Sequence, residues 1–175
     1  MAVWNAGDGW KPDFQLIQSG FVTKFHSREV LAEATSMFAR SGYRVVTLDA
    51  SRWGGSHDMH RDVAVALSFP DYYGQNLDAL NDCLSDVASD DYGWSLDDTG
   101  LILVIDNIDK FWTSEPRVAF ELIDIFNRNA TRAALYGNRL MCFVRSDDPH
   151  WEPPPFGGYE ASWNPAEWMD KNRPA

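Results

Sequence analysis

The sequence predicts an α/β protein with a small parallel β-sheet of three strands, or four if the first 42 residues add one, packed with α-helices. Short apolar runs alternate with longer segments in which apolar residues recur every three to four positions. Residues 101–105 are apolar throughout, as in a parallel strand covered on both faces. The 175 residues, 45% of them hydrophobic, suit one domain with extensions rather than two domains.

Residues 1–42 are predicted to form an N-terminal extension with a strand and a helix. The composition of residues 1–13 indicates a loop. Residues 14–17 and 21–25 each predict a short strand. Ser27 is a candidate N-cap for a helix because apolar residues follow it at helical spacing.

Residues 43–146 are predicted to form the main domain, which begins and ends with a strand. Its three predicted strands cover residues 43–50, 101–105 and 140–144. A strand that is followed by helices and then by another strand favours parallel pairing.

Helices are predicted between these strands. Ser56 is a candidate N-cap for a helix that ends before Pro70, and Asn76 is a candidate N-cap for the next helix. A long helix is predicted over about residues 114–135. The tail, residues 147–175, contains several prolines and three tryptophans, and its first part, residues 147–158, is predicted to be irregular.

The charge balance favours a basic protein as a partner. The net charge is -11 and the sequence pI is near 4.6, so nucleic acid and anionic membranes are not expected to bind. Cys83 and Cys142 lie in apolar runs without metal-ligand spacing, which predicts buried free thiols and a reducing, cytoplasmic compartment. Neither a signal peptide in residues 1–20 nor a membrane span is predicted.

Acidic residues are concentrated in the middle of the chain. Residues 63–109 contain ten aspartates and no Lys, Arg or Glu. A solvated face that keeps the protein soluble would explain such a run. The aspartates are Asp71, Asp78, Asp82, Asp86, Asp90, Asp91, Asp97, Asp98, Asp106 and Asp109.

Three of these aspartates share one face of the predicted helix that Asn76 begins. Asp78, Asp82 and Asp86 are spaced i, i+4 and i+8. Like charges at this spacing repel by about 0.2–0.5 kcal/mol per pair, and the helix dipole offsets this only in the first turn. No Lys or Arg nearby in the sequence offsets this repulsion. The row of aspartates therefore suggests that a cation on a partner neutralises it.

The residues before this helix predict a recognition loop. Tyr72 and Tyr73 offer large contact area at a low entropy cost. Gly74 is expected to permit a sharp turn from the loop into the helix.

The run FPDYYGQNLDALNDCL, residues 69–84, resembles the signature of the barstar family, and the order of elements agrees over about residues 43–145. The resemblance implies a barstar-like fold and an intracellular inhibitor, or immunity protein, that acts as a monomer without a cofactor. Its implied partner is a barnase-like ribonuclease or a related nuclease toxin. In that family, carboxylates replace the phosphate of the substrate in the active site of the nuclease.

The resemblance also implies which residues meet the nuclease. Tyr72, Asp78 and Asp82 match family positions at the active site, and Asp82 would be the central acid. Asn81 departs from the family because an aromatic residue is common there. The predicted partner-binding set is Tyr72, Tyr73, Gly74, Asn76, Asp78, Asn81, Asp82 and Asp86.

One family contact, a glutamate on the long helix, has no clear match in this chain. Glu121 and Asp124 are the candidates for this position, whereas Arg128 would conflict with it.

Two other function classes stay open. In one, the same scaffold binds a partner that is not a ribonuclease. In the other, Asp97, Asp98, Asp106 and Asp109 ligate Mg²⁺ in a phosphoryl-transfer enzyme, although the sequence has no phosphate-binding glycine loop.

Two histidines, His57 and His60, have a spacing that could hold a metal. We instead expect them to be polar residues on the exposed face of a helix. The sequence therefore predicts no catalytic residue and no metal site.

Overall fold

A computed structural model of the chain describes residues 7, 9, 11–89 and 91–174. Its centre is a parallel sheet of five strands in the order β2-β3-β4-β1-β5. The strands are β1 Val22–Phe25, β2 Tyr43–Asp49, β3 Gly100–Asp106, β4 Leu140–Arg145 and β5 Ser162–Trp163.

In the described part of the chain, six α-helices cover the two faces of the sheet. They are α1 Pro12–Ile17, α2 Arg28–Arg40, α3 Ser56–Ala66, α4 Leu77–Ala88, α5 Ile108–Ser114 and α6 Pro116–Leu135. Buried side chains of α3 to α6 form one core with one face of the sheet, and those of α2 form a second core with the other face.

The division into two cores follows from the alternation of side chains along each strand. In β3, Leu101 and Leu103 belong to the first core, whereas Ile102 and Val104 belong to the second. A strand that is buried on both faces needs apolar residues at every position, which explains the continuous apolar run in the sequence.

Two predicted helix starts are confirmed. The Ser27 hydroxyl accepts hydrogen bonds from the backbone N–H groups of Glu29 and Val30 at the start of α2. The side chain of Asn76 accepts one from the N–H of Ala79 at the start of α4 (2.9 Å). Each bond satisfies a donor that the first helical turn leaves free.

The prediction of a strand at residues 14–17 is wrong, because these residues lie in helix α1. The loop predicted for residues 1–13 is also wrong at its end, since Pro12 and Asp13 are helical, while residues 1–6, 8 and 10 lie outside the described residues. Proline suits the first helical turn. Asp13 is buried, where its carboxylate accepts from the Tyr43 hydroxyl (2.5 Å), a contact that a local pattern does not contain.

The helix cap predicted at Ser56 is also wrong. The N-cap position is Gly55, and Ser56 is the first residue of α3. The carboxylate of Asp58, in the first turn of α3, accepts from the backbone N–H of Gly54 (2.9 Å) and thereby ties the residues before the helix to its first turn.

The long helix begins two residues later than predicted. Pro116 occupies its first turn, and a separate short helix, α5, precedes it. Glu115 divides the two because the residue before a proline avoids the helical conformation.

The sheet has five strands, one more than the upper prediction of four, and the strand that was not predicted is β5. Its two residues pair with Thr23 and Lys24 of β1. Two residues give no alternating pattern, so the sequence could not indicate this strand.

The C-terminal tail packs on the end of β1. The buried carboxylate of Glu167 accepts from the backbone N–H groups of His26 (3.1 Å) and Ser27 (2.6 Å). The ring of Trp163 lies 4.6 Å from the Lys24 ammonium and 4.5 Å from the Arg173 guanidinium. Together with the ion pair between Lys24 and Glu152 (3.0 Å), these hydrogen-bond and cation–π contacts join the tail to the sheet.

Both cysteines are buried and free, as the sequence predicts. Within the part of the chain that the structure describes, no helix is long and apolar enough to cross a membrane.

Candidate functional site

Helix α4 presents one apolar and one acidic face. The apolar residues Leu80, Leu84 and Val87 are fully buried in the first core. Asp78 and Asp82 lie on the opposite face and are exposed. Their α-carbons are about 6 Å apart along the helix axis, since four residues rise by that distance.

The carboxylates of Asp78 and Asp82 are free within the molecule. Among the described residues, neither carboxylate makes an ion pair or a hydrogen bond. Asp86 differs, because it is half-buried and accepts from the Tyr92 hydroxyl (3.1 Å). The acidic row therefore contains two free carboxylates and one that is already engaged.

The two tyrosines of the preceding loop have different surroundings. Tyr72 is 79% exposed. The hydroxyl of Tyr73 lies 2.5 Å from Nδ1 of His60, and its ring meets that of Phe69 edge-on at 4.9 Å. Tyr73 anchors the loop and leaves Tyr72 to face the solvent.

The expectation that His60 lies on an exposed helix face is wrong, because it is only 4% exposed. Burial lowers the pKa of His60, with a smaller contribution from His57. Burial also raises the pKa of Tyr73. Both shifts favour a neutral imidazole whose Nδ1 accepts a hydrogen bond from the Tyr73 hydroxyl, which keeps its proton.

The sequence contains a signal that would have placed His60 correctly. It precedes the buried residues Val63 and Leu67 by three and seven positions, which is the spacing of one helix face. Because histidine is polar, it is not usually counted among the residues that define the buried face of a helix.

Gly74 does not supply the turn that the sequence analysis assigned to it. The left-handed residue is its neighbour Gln75, with φ of 48°. A Cβ atom on Gly74 would lie 3.1 Å from Nδ2 of Asn76, which donates to the Gly74 carbonyl (3.2 Å). Gly74 therefore leaves room for the side chain that caps α4.

Asn81 lies where α4 meets α6. Its side-chain oxygen accepts from Nδ2 of Asn129 (3.3 Å), and it is half-buried. The Asn81 side chain thus serves the contact between the two helices.

The two acids considered on α6 differ in their contacts. Asp124 pairs with Arg128 (2.9 Å) and accepts from the backbone N–H of Gly157 (2.7 Å). Glu121 is half-buried. Asp124 is thus already neutralised by its own helix.

The four acids considered as magnesium ligands do not form a shared centre. Asp106 pairs with Arg145 and with Arg28, and Asp109 pairs with Lys110. The described residues contain no group of three or more His, Cys, Asp or Glu side chains that could hold a metal ion.

Comparisons with known proteins agree on one family. A family model described as Barstar (barnase inhibitor) matches residues 43–145, more than half of the chain. A relative from Bacillus subtilis (strain 168), named "Putative ribonuclease inhibitor YrdF", is 39% identical over 66 residues. This match covers 38% of the chain and 63% of the relative, so less than two thirds of the relative's length is represented.

Proposed function

The chain belongs to the barstar family, and from this premise we propose that it is a non-catalytic inhibitor of a basic ribonuclease. In this proposal, Asp78 and Asp82 enter the active site of the nuclease and take the place of the phosphate of RNA. The observation that carries the proposal is that these two carboxylates have no partner within the described molecule. Two exposed, unpaired carboxylates on one helix face can pair with the cations of a nuclease cleft.

The loop before α4 supplies the second part of the proposed surface. Tyr72 is exposed and would pack against the nuclease beside the cleft, since tyrosine is frequent among the residues that anchor interfaces. Tyr73 and Gly74 hold the loop, and Asn76 fixes the start of the helix. Their proposed part in binding is to position Tyr72 and Asp78.

Asn81 and Asp86 complete the proposed surface on the two flanks of Asp82. Both already have a partner within the molecule, so they would contribute less than the free carboxylates. We therefore assign the main electrostatic role to Asp82, with Asp78 one turn before it.

The overall charge favours rapid encounter with a basic enzyme. The chain carries a net charge of -11, and complementary potentials accelerate association at low salt. Salt should slow the encounter, since the Debye length is about 8–10 Å at physiological ionic strength.

Inhibition assays with an Asp82 variant test the proposal. RNA cleavage by a panel of basic ribonucleases that includes barnase would be measured against the wild type, Asp82→Ala and Asp97→Ala. Removing one member of a buried charge pair leaves the other charge without a partner and costs about 2–5 kcal/mol, a range to which the barnase–barstar complex itself contributed. Asp82→Ala should therefore raise the inhibition constant about 30-fold or more. Asp97 is an exposed acid on another loop, and its variant controls for the loss of one charge.

The assay separates the proposal from its alternatives. Undiminished inhibition by a folded Asp82→Ala variant would contradict the assignment of the site. Failure of the wild type to inhibit any nuclease of the panel would favour a different partner for the scaffold. Turnover of a phosphoester in the presence of Mg²⁺ would instead indicate an enzyme.

A further inference from the structure

Two hydrogen bonds fix α6 beside the acidic helix. Nδ2 of Asn129 donates to Asn81 (3.3 Å), and Nδ2 of Asn138, just beyond α6, donates to the carbonyl of Ala88 at the end of α4 (2.9 Å). Both pairs advance in the same direction along the chain, so the two helices run side by side and parallel. The stretch of α6 between these bonds borders the stretch of α4 that carries Asp82.

The solvent side of this stretch carries a cation and an aromatic ring. Arg132 lies three residues after Asn129 and is exposed, whereas its neighbour Ala133 is buried. Tyr136 follows Arg132 by four residues, on the same side of the helix, and is 67% exposed. We call Arg132 and Tyr136 the α6 edge.

The charge of Arg132 is not neutralised within the described part of the chain. Arg128, one turn before it, pairs with Asp124 (2.9 Å). The guanidinium of Arg132 makes no ion pair or hydrogen bond with another described residue. A free guanidinium thus lies on the helix that packs against α4, whose exposed face carries two free carboxylates.

This arrangement restricts the partner. A nuclease with positive charge over its whole face would be attracted by Asp82 and repelled by Arg132. A nuclease whose positive cleft ends at an acidic rim would be attracted by both. Guanidinium groups pair with carboxylates in a bidentate geometry, and arginine and tyrosine are frequent anchors at interfaces.

We infer that the α6 edge selects the ribonuclease: the partner that fits carries an acidic side chain for Arg132 and an apolar surface for Tyr136 beside its cationic cleft. The inference rests on the proposed function. It adds that binding needs two charges of opposite sign on the partner rather than a basic surface alone.

Charge reversal at Arg132 tests the inference. Inhibition constants would be measured for the wild type, Arg132→Glu, Tyr136→Ala and Arg40→Glu against barnase and a panel of basic ribonucleases with known surface charges. Arg40 is an exposed arginine on α2, which covers the opposite face of the sheet, so its reversal changes the net charge equally. Thermal unfolding would confirm that each variant is folded.

The expected result is a change in preference. Against the nuclease that the wild type inhibits best, Arg132→Glu should raise the inhibition constant about tenfold or more, Tyr136→Ala should raise it as well, and Arg40→Glu should change it less than about twofold. Against nucleases with a basic rim, Arg132→Glu should instead lower it. If Arg132 had only a structural role, its charge reversal would not change the order in which the nucleases are ranked by their inhibition constants.

Two outcomes would overturn the inference, and they differ. In the first, Asp82→Ala loses inhibition, whereas Arg132→Glu inhibits every nuclease as well as the wild type does. This result would contradict a role of the α6 edge but would support the proposed function. If the wild type inhibits no nuclease, both fall together.

Discussion

Tyr72 and Tyr73 are adjacent and chemically identical, yet the fold separates their roles. Tyr73 binds His60 through its hydroxyl, and Tyr72 faces the solvent. The sequence predicted that both would take part in recognition because both are aromatic and precede an acidic helix. It could not separate them, since the difference depends on a histidine thirteen residues earlier that packing brings into reach.

The pair of His60 and Tyr73 should make stability depend on pH below neutrality. The pKa of His60 is lowered by burial, so folding favours its neutral form and releases a proton. This stabilisation is fully present above about pH 6.5, the ordinary pKa of histidine, and is lost as the pH falls from there towards the lower pKa of the folded state. We expect the free energy of unfolding of the wild type to decrease between pH 7.5 and 5.5.

Urea unfolding at several pH values measures this effect. His60→Asn keeps an oxygen acceptor near Nδ1 without a titrating ring, so its stability should change less over the same range. His150→Gln removes an exposed histidine of the C-terminal tail and serves as the control. Equal pH slopes for the wild type and His60→Asn would contradict the prediction.

At the scale of elements, α4 was the most predictable part of the molecule. Its cap at Asn76 follows from local spacing and is confirmed, and Asp78 and Asp82 share an exposed face as predicted, whereas Asp86 is half-buried. The shorter elements were less predictable. Helix α1 and strand β5 have six and two residues, and each is held by tertiary contacts that no local pattern contains.

The cap of α4 should matter for stability as well as for the position of Asp78. In Asn76→Ala the N–H of Ala79 loses its acceptor, which costs about 0.5–2 kcal/mol. Asn76→Asp keeps an acceptor and places a negative charge at the positive end of the helix, so it should retain most of the stability. Urea unfolding of the two variants beside the wild type measures the difference.

The outcome for inhibition provides a second check. A frayed first turn would leave Asp78 without a fixed position, so Asn76→Ala should inhibit less well than Asn76→Asp. Equal stabilities of the two variants would show that the cap does not hold the helix.

At the scale of the whole molecule, the sheet extends beyond the segment that matches the family model. Residues 43–145 supply β2, β3 and β4, whereas β1 comes from before this segment and β5 from after it. β1 lies between β4 and β5, so the added segments cover an edge that β4 would otherwise expose. The sequence predicts domain boundaries at residues 42/43 and 146/147. Because β1 pairs with β4 across the first of these boundaries, the segment between them is expected to depend on β1 for its stability.

A fragment of residues 43–146 should be much less stable than the full chain. It lacks the buried side chains of Val22, Phe25, Trp151 and Phe156. Burial of each contributes about 1.5–3 kcal/mol, so their joint loss approaches the total stability of about 5–15 kcal/mol of a typical domain. The fragment should also expose β4 as an apolar edge strand, which favours aggregation.

Unfolding of the fragment and of the full chain, followed by circular dichroism and by sedimentation, tests this prediction. We expect the full chain to unfold cooperatively as a monomer and the fragment to show a weak transition or to self-associate. A fragment that stays monomeric and unfolds at the same urea concentration as the full chain would show that the segments outside 43–146 are accessory. The fold would then be determined by three strands alone, as the sequence first suggested.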